Sequence, residues 1–264
     1  MRIAVCLEYD GRSFCGFQSQ PDGCGVQDAL EHALRAVAGE TIGVVAAGRT
    51  DAGVHATAQV AHFDTDVVRP DSAWVRGVNA HLPRSSAVLW AQPVTGEFHA
   101  RFAAQARHYT YLLLNRAQRP GLSTGRVGWY HRPLDVAAMA RAGEALVGTH
   151  DFSAFRAADC QARTPVKTLR EARVTRHADV VRFDFTATAF LHHMVRNIVG
   201  ALVYIGAGRQ PSTWTRELLA ARDRTRAAPT FAPDGLYFTG AEYDAVHGLP
   251  ATSRPVPLQT DGGV

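Results

Sequence analysis

Three ionisable side chains fall within eight residues in Gly48-Arg49-Thr50-Asp51-Ala52-Gly53-Val54-His55. The segment sits between two apolar runs, Ile42 to Ala47 and Ala58 to Phe63, each of which reads as a strand. A carboxylate on a loop between rigid strands can act as a nucleophile or as a general base. Gly48 and Gly53 allow the loop backbone angles closed to other residues. The same segment also reads as a plain turn in which Asp51 caps backbone N–H groups. A phosphate-binding P-loop is excluded, because G-x-x-x-x-G-K-[ST] is absent.

Other reactive residues carry less. His192 and His193 are adjacent, with His55 elsewhere in the chain. Neighbouring residues on a helix point about 100° apart, whereas metal-ligand pairs favour i,i+4, so no metal site is expected. The cysteines, Cys6, Cys15, Cys24 and Cys160, form no C-x-x-C pair. Their spacing suits neither a zinc knuckle nor a small disulfide framework, and four free thiols in a reducing compartment are expected.

The charge is uneven. The net charge is +4, with residues 1–102 net acidic and the remainder net basic. No acidic residue occurs between Glu97 and Asp135, a stretch containing Arg101, Arg107, Arg116, Arg119, Arg126 and Arg132. Such a stretch suits a polyanionic partner or a plain solvated face. The longest weakly polar run, Ile198 to Gly208, is shorter than the roughly 20 residues a bilayer requires. The N-terminus turns acidic at Glu8 and Asp10 before a signal sequence could form. A cytoplasmic protein is expected.

The elements that position these residues follow from periodicity. Arg2 to Tyr9 alternates as a strand, and a loop runs from Arg12 to Gly25. Val26, Ala29, Leu30, Ala33, Leu34 and Val37 form a helical stripe stopped by Gly39. Pro70 opens a helix with Trp74, Val75, Val78 and Leu82, and Ser86 to Val94 is a strand. In the second half, His108 to Leu114 is a strand leading into a long basic loop, and Asp135 caps a helix beginning at Val136. Arg170 to His177 and Val180 to Thr188 form a hairpin about His177-Ala178-Asp179. His192 to Ile205 is a helix, a further helix runs from Pro211 through Arg222, and Leu236 to Tyr243 is the last strand. Each half thus reads as an α+β, ferredoxin-like or RRM-like unit with an antiparallel sheet. The expected divisions are 1–103, 104–247 and a loose tail over 248–264.

Several blocks share an order found in a known family. Tyr9-Asp10-Gly11 is followed by Gly16-Phe17-Gln18-Ser19-Gln20, the Gly48 to His55 run, and Arg107-His108-Tyr109-Thr110-Tyr111. Then come Asp151-Phe152-Ser153 with Phe155-Arg156, Arg163-Thr164-Pro165-Val166, Phe190 to Gly200, and Gly235-Leu236-Tyr237. With these blocks the chain resembles the TruA family of tRNA pseudouridine synthases over roughly residues 2–245. Phe17, where many members carry Trp, keeps an aromatic face.

The resemblance implies a pseudouridine synthase fold of two such units around a central cleft. It implies isomerisation of uridine to pseudouridine at nucleotides 38, 39 and 40 of the tRNA anticodon stem-loop, by a homodimer, with no cofactor and no metal. By motif, Asp51 is the catalytic carboxylate, Arg196 its ion-pair partner, and Tyr109 the residue that stacks on the base or takes a proton. A guanidinium stabilises an ionised carboxylate and fixes its direction. Tyr111, two residues on, is the alternative to Tyr109. Extruding a base from a stem costs a few kcal/mol, and Arg49 is positioned by motif to support the flipped state. His55 shapes the loop or meets substrate. Arg107, Arg156 and Arg163, with Lys167 and Arg170, are candidates for phosphate contacts. Two other readings are a catalytically silent RRM-like RNA-binding module and a metal-dependent hydrolase using His55, His192 and His193. The first lacks an RNP aromatic pattern; the second lacks ligand spacing.

Overall fold

A computed structural model describes residues 1–158 and 160–257. Its strands are β1 (Arg2–Tyr9), β2 (Val44–Ala46), β3 (His55–Asp64), β4 (Ser86–Val94), β5 (Ala106–Asn115), β6 (Gly128–Tyr130), β7 (Gly148–Asp151), β8 (Val166–His177), β9 (Val180–Ala187) and β10 (Leu236–Glu242). Its helices are α1 (Val26–Ala38), α2 (Val78–His81), α3 (Val136–Glu144), α4 (Met194–Gly206) and α5 (Trp214–Ala221). The chain forms two compact units, one of residues 1–107 and 237–257, the other of residues 108–236. The sequence divides the chain after residue 103 and places the last strand with the second part. In the structure that strand returns to the first unit, because β10 pairs in parallel with the start of β3, Tyr237 opposite His55.

In the first unit, β4, β1 and β3 lie side by side, with β2 against β3. These pairings are antiparallel, in the ferredoxin-like order. The predicted stripe of α1 is buried at Val26, Leu30, Ala33 and Leu34. Asp28 anchors the start of α1 by accepting from the Gly25 N–H at 2.9 Å. Both faces of β1 are buried, not one. Ile3, Val5 and Leu7 occupy one face, whereas small Ala4 and Cys6 on the other lie with Ala58 and Val60 under Phe98 and Ala100. Burial pushes the Cys6 thiol up to about 12.

In the second unit, β5, β9, β8 and β7 follow one another, and the hairpin turns as expected, His177 opposite Val180. Asp135 caps α3, its carboxylate accepting from the Ala138 N–H at 2.9 Å. The basic loop contains a strand that periodicity missed, β6, three residues paired in parallel with β5. Strand β8 begins at Val166, earlier than the expected Arg170.

Three expectations are corrected. Helix α4 starts at Met194, because His193 takes a left-handed conformation (φ 59°) that a right-handed helix cannot include. Cys15 and Cys24 are joined in a disulfide, leaving Cys6 and Cys160 as buried thiols. The 12–25 loop doubles back so that the Cys15 N–H donates to the Cys24 carbonyl at 2.9 Å, a pairing that spacing alone does not reveal. Residues 248–257 are packed rather than loose: Trp90 Nε1 donates to the Ala251 carbonyl, Thr57 Oγ1 donates to that of Arg254, and Val256 is buried. The rest of the expected tail, 258–264, lies outside the described residues. No helix among the described residues is long and apolar enough to cross a membrane.

His62 on β3 is buried, and its Nδ1 accepts from the Ala100 N–H at 3.1 Å. Burial, reinforced by Arg2 and His99, pushes the imidazole down to about 4. The unfolded chain takes up this proton near pH 6.5, so the contribution to stability is whole above that pH and is lost as pH falls towards 4. Urea titrations should show a loss on the order of 2–3 kcal/mol across that window. The His62→Gln variant should flatten it; an unchanged slope would contradict the assignment.

Candidate active site

The first unit carries the Gly48–His55 segment. It leaves the sheet at Ala47 and rejoins it at His55, so β2 and β3 fix both ends. Between them the loop is held by buried polar groups. The Gln59 amide, wholly buried on β3, donates from Nε2 to the Gly48 carbonyl at 2.7 Å, and its Oε1 accepts from the Gly48 N–H at 3.3 Å. The Tyr9 hydroxyl bonds Thr50 Oγ1 at 2.8 Å and accepts from Gln59 Nε2 at 3.4 Å. Burial pushes that hydroxyl up to about 12. The Phe17 N–H donates to the Thr50 carbonyl at 2.9 Å, and the Val54 N–H closes a turn onto the Asp51 carbonyl at 3.1 Å. Asp51 is thus half-exposed on a backbone that is bonded at the residues before it and in its own turn.

The neighbours of Asp51 sort by exposure. Arg49 is exposed. His55 is buried, stacks on Tyr237 with ring centroids 4.6 Å apart, and accepts at Nδ1 from the Gly11 N–H at 3.1 Å. Beside it, the Arg12 guanidinium holds the Asp10 carboxyl at about 2, with burial opposing and the Arg12 N–H and His55 assisting.

The second unit carries the remaining candidates. Tyr109 on β5 is half-buried and meets Phe190 edge-on, ring centroids 5.0 Å apart. Tyr111 is wholly buried, and its hydroxyl donates to the Ala232 carbonyl at 2.9 Å. Burial, with Asp234 nearby, pushes the Tyr111 hydroxyl far above its usual value. Tyr111 is therefore a core residue, and Tyr109 is the accessible member of the pair. Arg196 lies in the first turn of α4, and its Nε donates to the Phe231 carbonyl at 2.8 Å. The 228–232 segment that supplies this carbonyl is itself anchored. Arg224 donates to the Ala228 carbonyl, to Thr230 Oγ1 and to Oδ1 of wholly buried Asn197, the residue after Arg196.

Arg156 turns inward, donating from Nη2 to the carbonyls of Cys160 and Ala162. Arg163 is exposed. The His192 and His193 rings lie tilted at 40° to one another with centroids 4.0 Å apart, just ahead of α4. Sequence reasoning missed Tyr9, Gln59, Asn197 and Arg224 as supports of the site. Gln59 was the most visible of these, a lone amide in the apolar run Ala56 to Ala61.

The chain matches the tRNA pseudouridine synthase family over residues 5–103 and 142–244, and it belongs to that family. It is 63% identical over 258 residues to tRNA pseudouridine synthase A of Thiobacillus denitrificans, covering 98% of this chain and 99% of that protein. It is 62% identical over 250 residues to tRNA pseudouridine synthase A of Dechloromonas aromatica, covering 95% of both. The protein of that name from Methylobacillus flagellatus is 56% identical over 258 residues, 98% of this chain and 99% of its own.

Gly16 takes φ +104°, and a Cβ there would sit 2.9 Å from the Thr50 carbonyl oxygen. Gly23, in the same connection, takes φ +70° with open space around it. Gly16→Ala should therefore cost more stability than Gly23→Ala, by about 1–3 kcal/mol. It should also speed hydrogen exchange at Thr50–Val54. Equal effects of the two substitutions in thermal denaturation would show that the Gly16–Thr50 contact does not brace the loop.

Proposed function

We propose that this chain isomerises uridine to pseudouridine at nucleotides 38, 39 and 40 of the tRNA anticodon stem-loop. The observation that carries the reading is Asp51, displayed half-exposed on a rigidly held loop in a chain of the tRNA pseudouridine synthase family. The N1–C1′ glycosidic bond breaks, the uracil turns over, a C5–C1′ bond forms, C5 gives up its hydrogen as a proton, and N1 gains one. Nothing is oxidised or hydrolysed, so the chemistry asks for a placed carboxylate rather than an electron carrier. An ionised Asp51 can meet that need as a nucleophile on the sugar or base, or as a base at the sugar.

Other residues take supporting roles in this reading. Tyr109 packs against the extruded base or receives a proton, and its partial exposure beside Phe190 suits it better than buried Tyr111. Arg196, aimed by the Phe231 carbonyl, supplies the guanidinium that balances the reacting carboxylate. Exposed Arg49 supports the flipped state, and exposed Arg163 meets phosphate. Arg156 and His55 shape the segments beside them, and the working form is a homodimer.

Tritium release from tRNA carrying [5-³H]uridine reports the reaction directly. The unsubstituted protein should release tritium and Asp51→Ala should not, while both shift tRNA on a native gel. Turnover by Asp51→Ala would remove that residue from the chemistry; tRNA binding with no release by either protein would instead favour a silent RNA-binding module. Arg196→Lys should lose roughly 10²-fold in rate, because an ammonium cannot reproduce a planar fork and small displacements are costly. Unchanged kinetics would count against its role. Light scattering should give twice the 28.6 kDa chain mass.

A further inference from the structure

Arg107, at the start of β5 and within the first unit, looks from sequence like one more phosphate contact. Its guanidinium is directed at the protein's own main chain. Nε and Nη2 donate to the Ala47 carbonyl at 3.3 and 3.2 Å, Nη1 donates to the Ala104 carbonyl at 2.8 Å, and Nη2 also donates to the Arg101 carbonyl. Three carbonyls from two separate segments thus converge on one planar fork. Charge-assisted bonds of this kind are roughly twice as strong as neutral ones.

The two segments do not need Arg107 for their own local structure. The Ala47 N–H already donates to the Val60 carbonyl at 2.8 Å, which closes the β2 side of the sheet. The turn after Phe98 is closed by the Ala103 N–H on the His99 carbonyl, and by His99 Nδ1 accepting from the Arg101 and Phe102 N–H groups. Arg107 adds a tie between these segments. Ala47 is the last residue before the Gly48–His55 loop leaves the sheet, so this tie sets the loop's point of origin.

We infer that Arg107 is a positioning residue: a clasp that fixes the root of the Asp51 loop, and not a contact to the RNA backbone. The inference rests on the reading of Asp51 as the catalytic carboxylate. Lysine could replace a phosphate contact, being a point charge on a long stem, but it cannot span three carbonyls.

The test compares the full-length protein with Arg107→Lys and Arg107→Ala. Single-turnover tritium release at saturating tRNA, tRNA Kd from 50 to 200 mM salt, and thermal denaturation are measured for each. The clasp predicts a rate about 10²-fold lower in both variants, the cost of a shift near 1 Å, with Kd and its salt dependence unchanged. A retained rate with weaker binding, and a log–log salt slope reduced by about 0.7–0.9, would make Arg107 a phosphate contact and overturn the inference. A lowered Tm with unchanged rate and Kd would also overturn it, as a purely structural bond. Should Arg107→Ala fail to fold, Arg107→Lys alone decides, because a wild-type rate in that variant excludes the clasp. Asp51→Ala in the same assay separates the two readings. Turnover there unseats Asp51 itself, whereas an inactive Asp51→Ala beside a wild-type rate in Arg107→Lys unseats only the clasp.

Discussion

The arrangement on which the Gly48–His55 loop depends is a small buried polar cluster: Gln59, the Tyr9 hydroxyl and Thr50 Oγ1, bonded to one another and to the Gly48 backbone. A loop that leaves a sheet and returns must satisfy its N–H and C=O groups somewhere, since leaving them unpaired and buried costs about 1–3 kcal/mol each. Here Gln59 of β3 satisfies both groups of Gly48, and Tyr9 of β1 holds the Gln59 amide and the Thr50 hydroxyl, the two strands being paired through most of their length. The loop inherits the rigidity of the sheet while Asp51 stays half-exposed. An apolar residue at position 59 would fill the space but leave the Gly48 groups without these partners, so the amide is a requirement of the loop rather than of the core.

The second unit handles a comparable problem with a guanidinium. Arg196 emerges from a largely apolar helix, and its Nε is aimed by a main-chain carbonyl at Phe231. That carbonyl lies on an irregular segment fastened by Arg224, Thr230 and Asn197. Asn197 also donates to the Phe155 carbonyl, which joins α4 to the Asp151–Phe155 block. In both units the side chain of interest sits beside polar side chains that bond to the main chain.

Much of this was legible along the chain. The α1 stripe, the Asp135 cap and the hairpin at Ala178 are local, each written within one or two turns of backbone. The Gly48–His55 segment stood out because three ionisable residues crowd a short loop between apolar strands. Tyr109 and Tyr111, by contrast, are equivalent in periodicity. One is half-buried beside Phe190 and the other is sealed in the core against Phe183 and Phe231, a difference set by residues far away in sequence.

By itself the sequence determined the class of most of the long elements, the ferredoxin-like order of the first unit, the family and the identity of the candidate carboxylate. Those properties depend on residue type and short-range spacing, which packing elsewhere does not change. Tertiary structure alone decided that β10 returns to pair with β3, that Cys15 meets Cys24, that His193 stands before helix α4 rather than within it, and that Arg107 faces carbonyls instead of solvent. Each of these turns on which groups from distant parts of the chain are brought within a few ångströms. A guanidinium has the same five donors wherever it stands; only the packed chain determines which acceptors they meet.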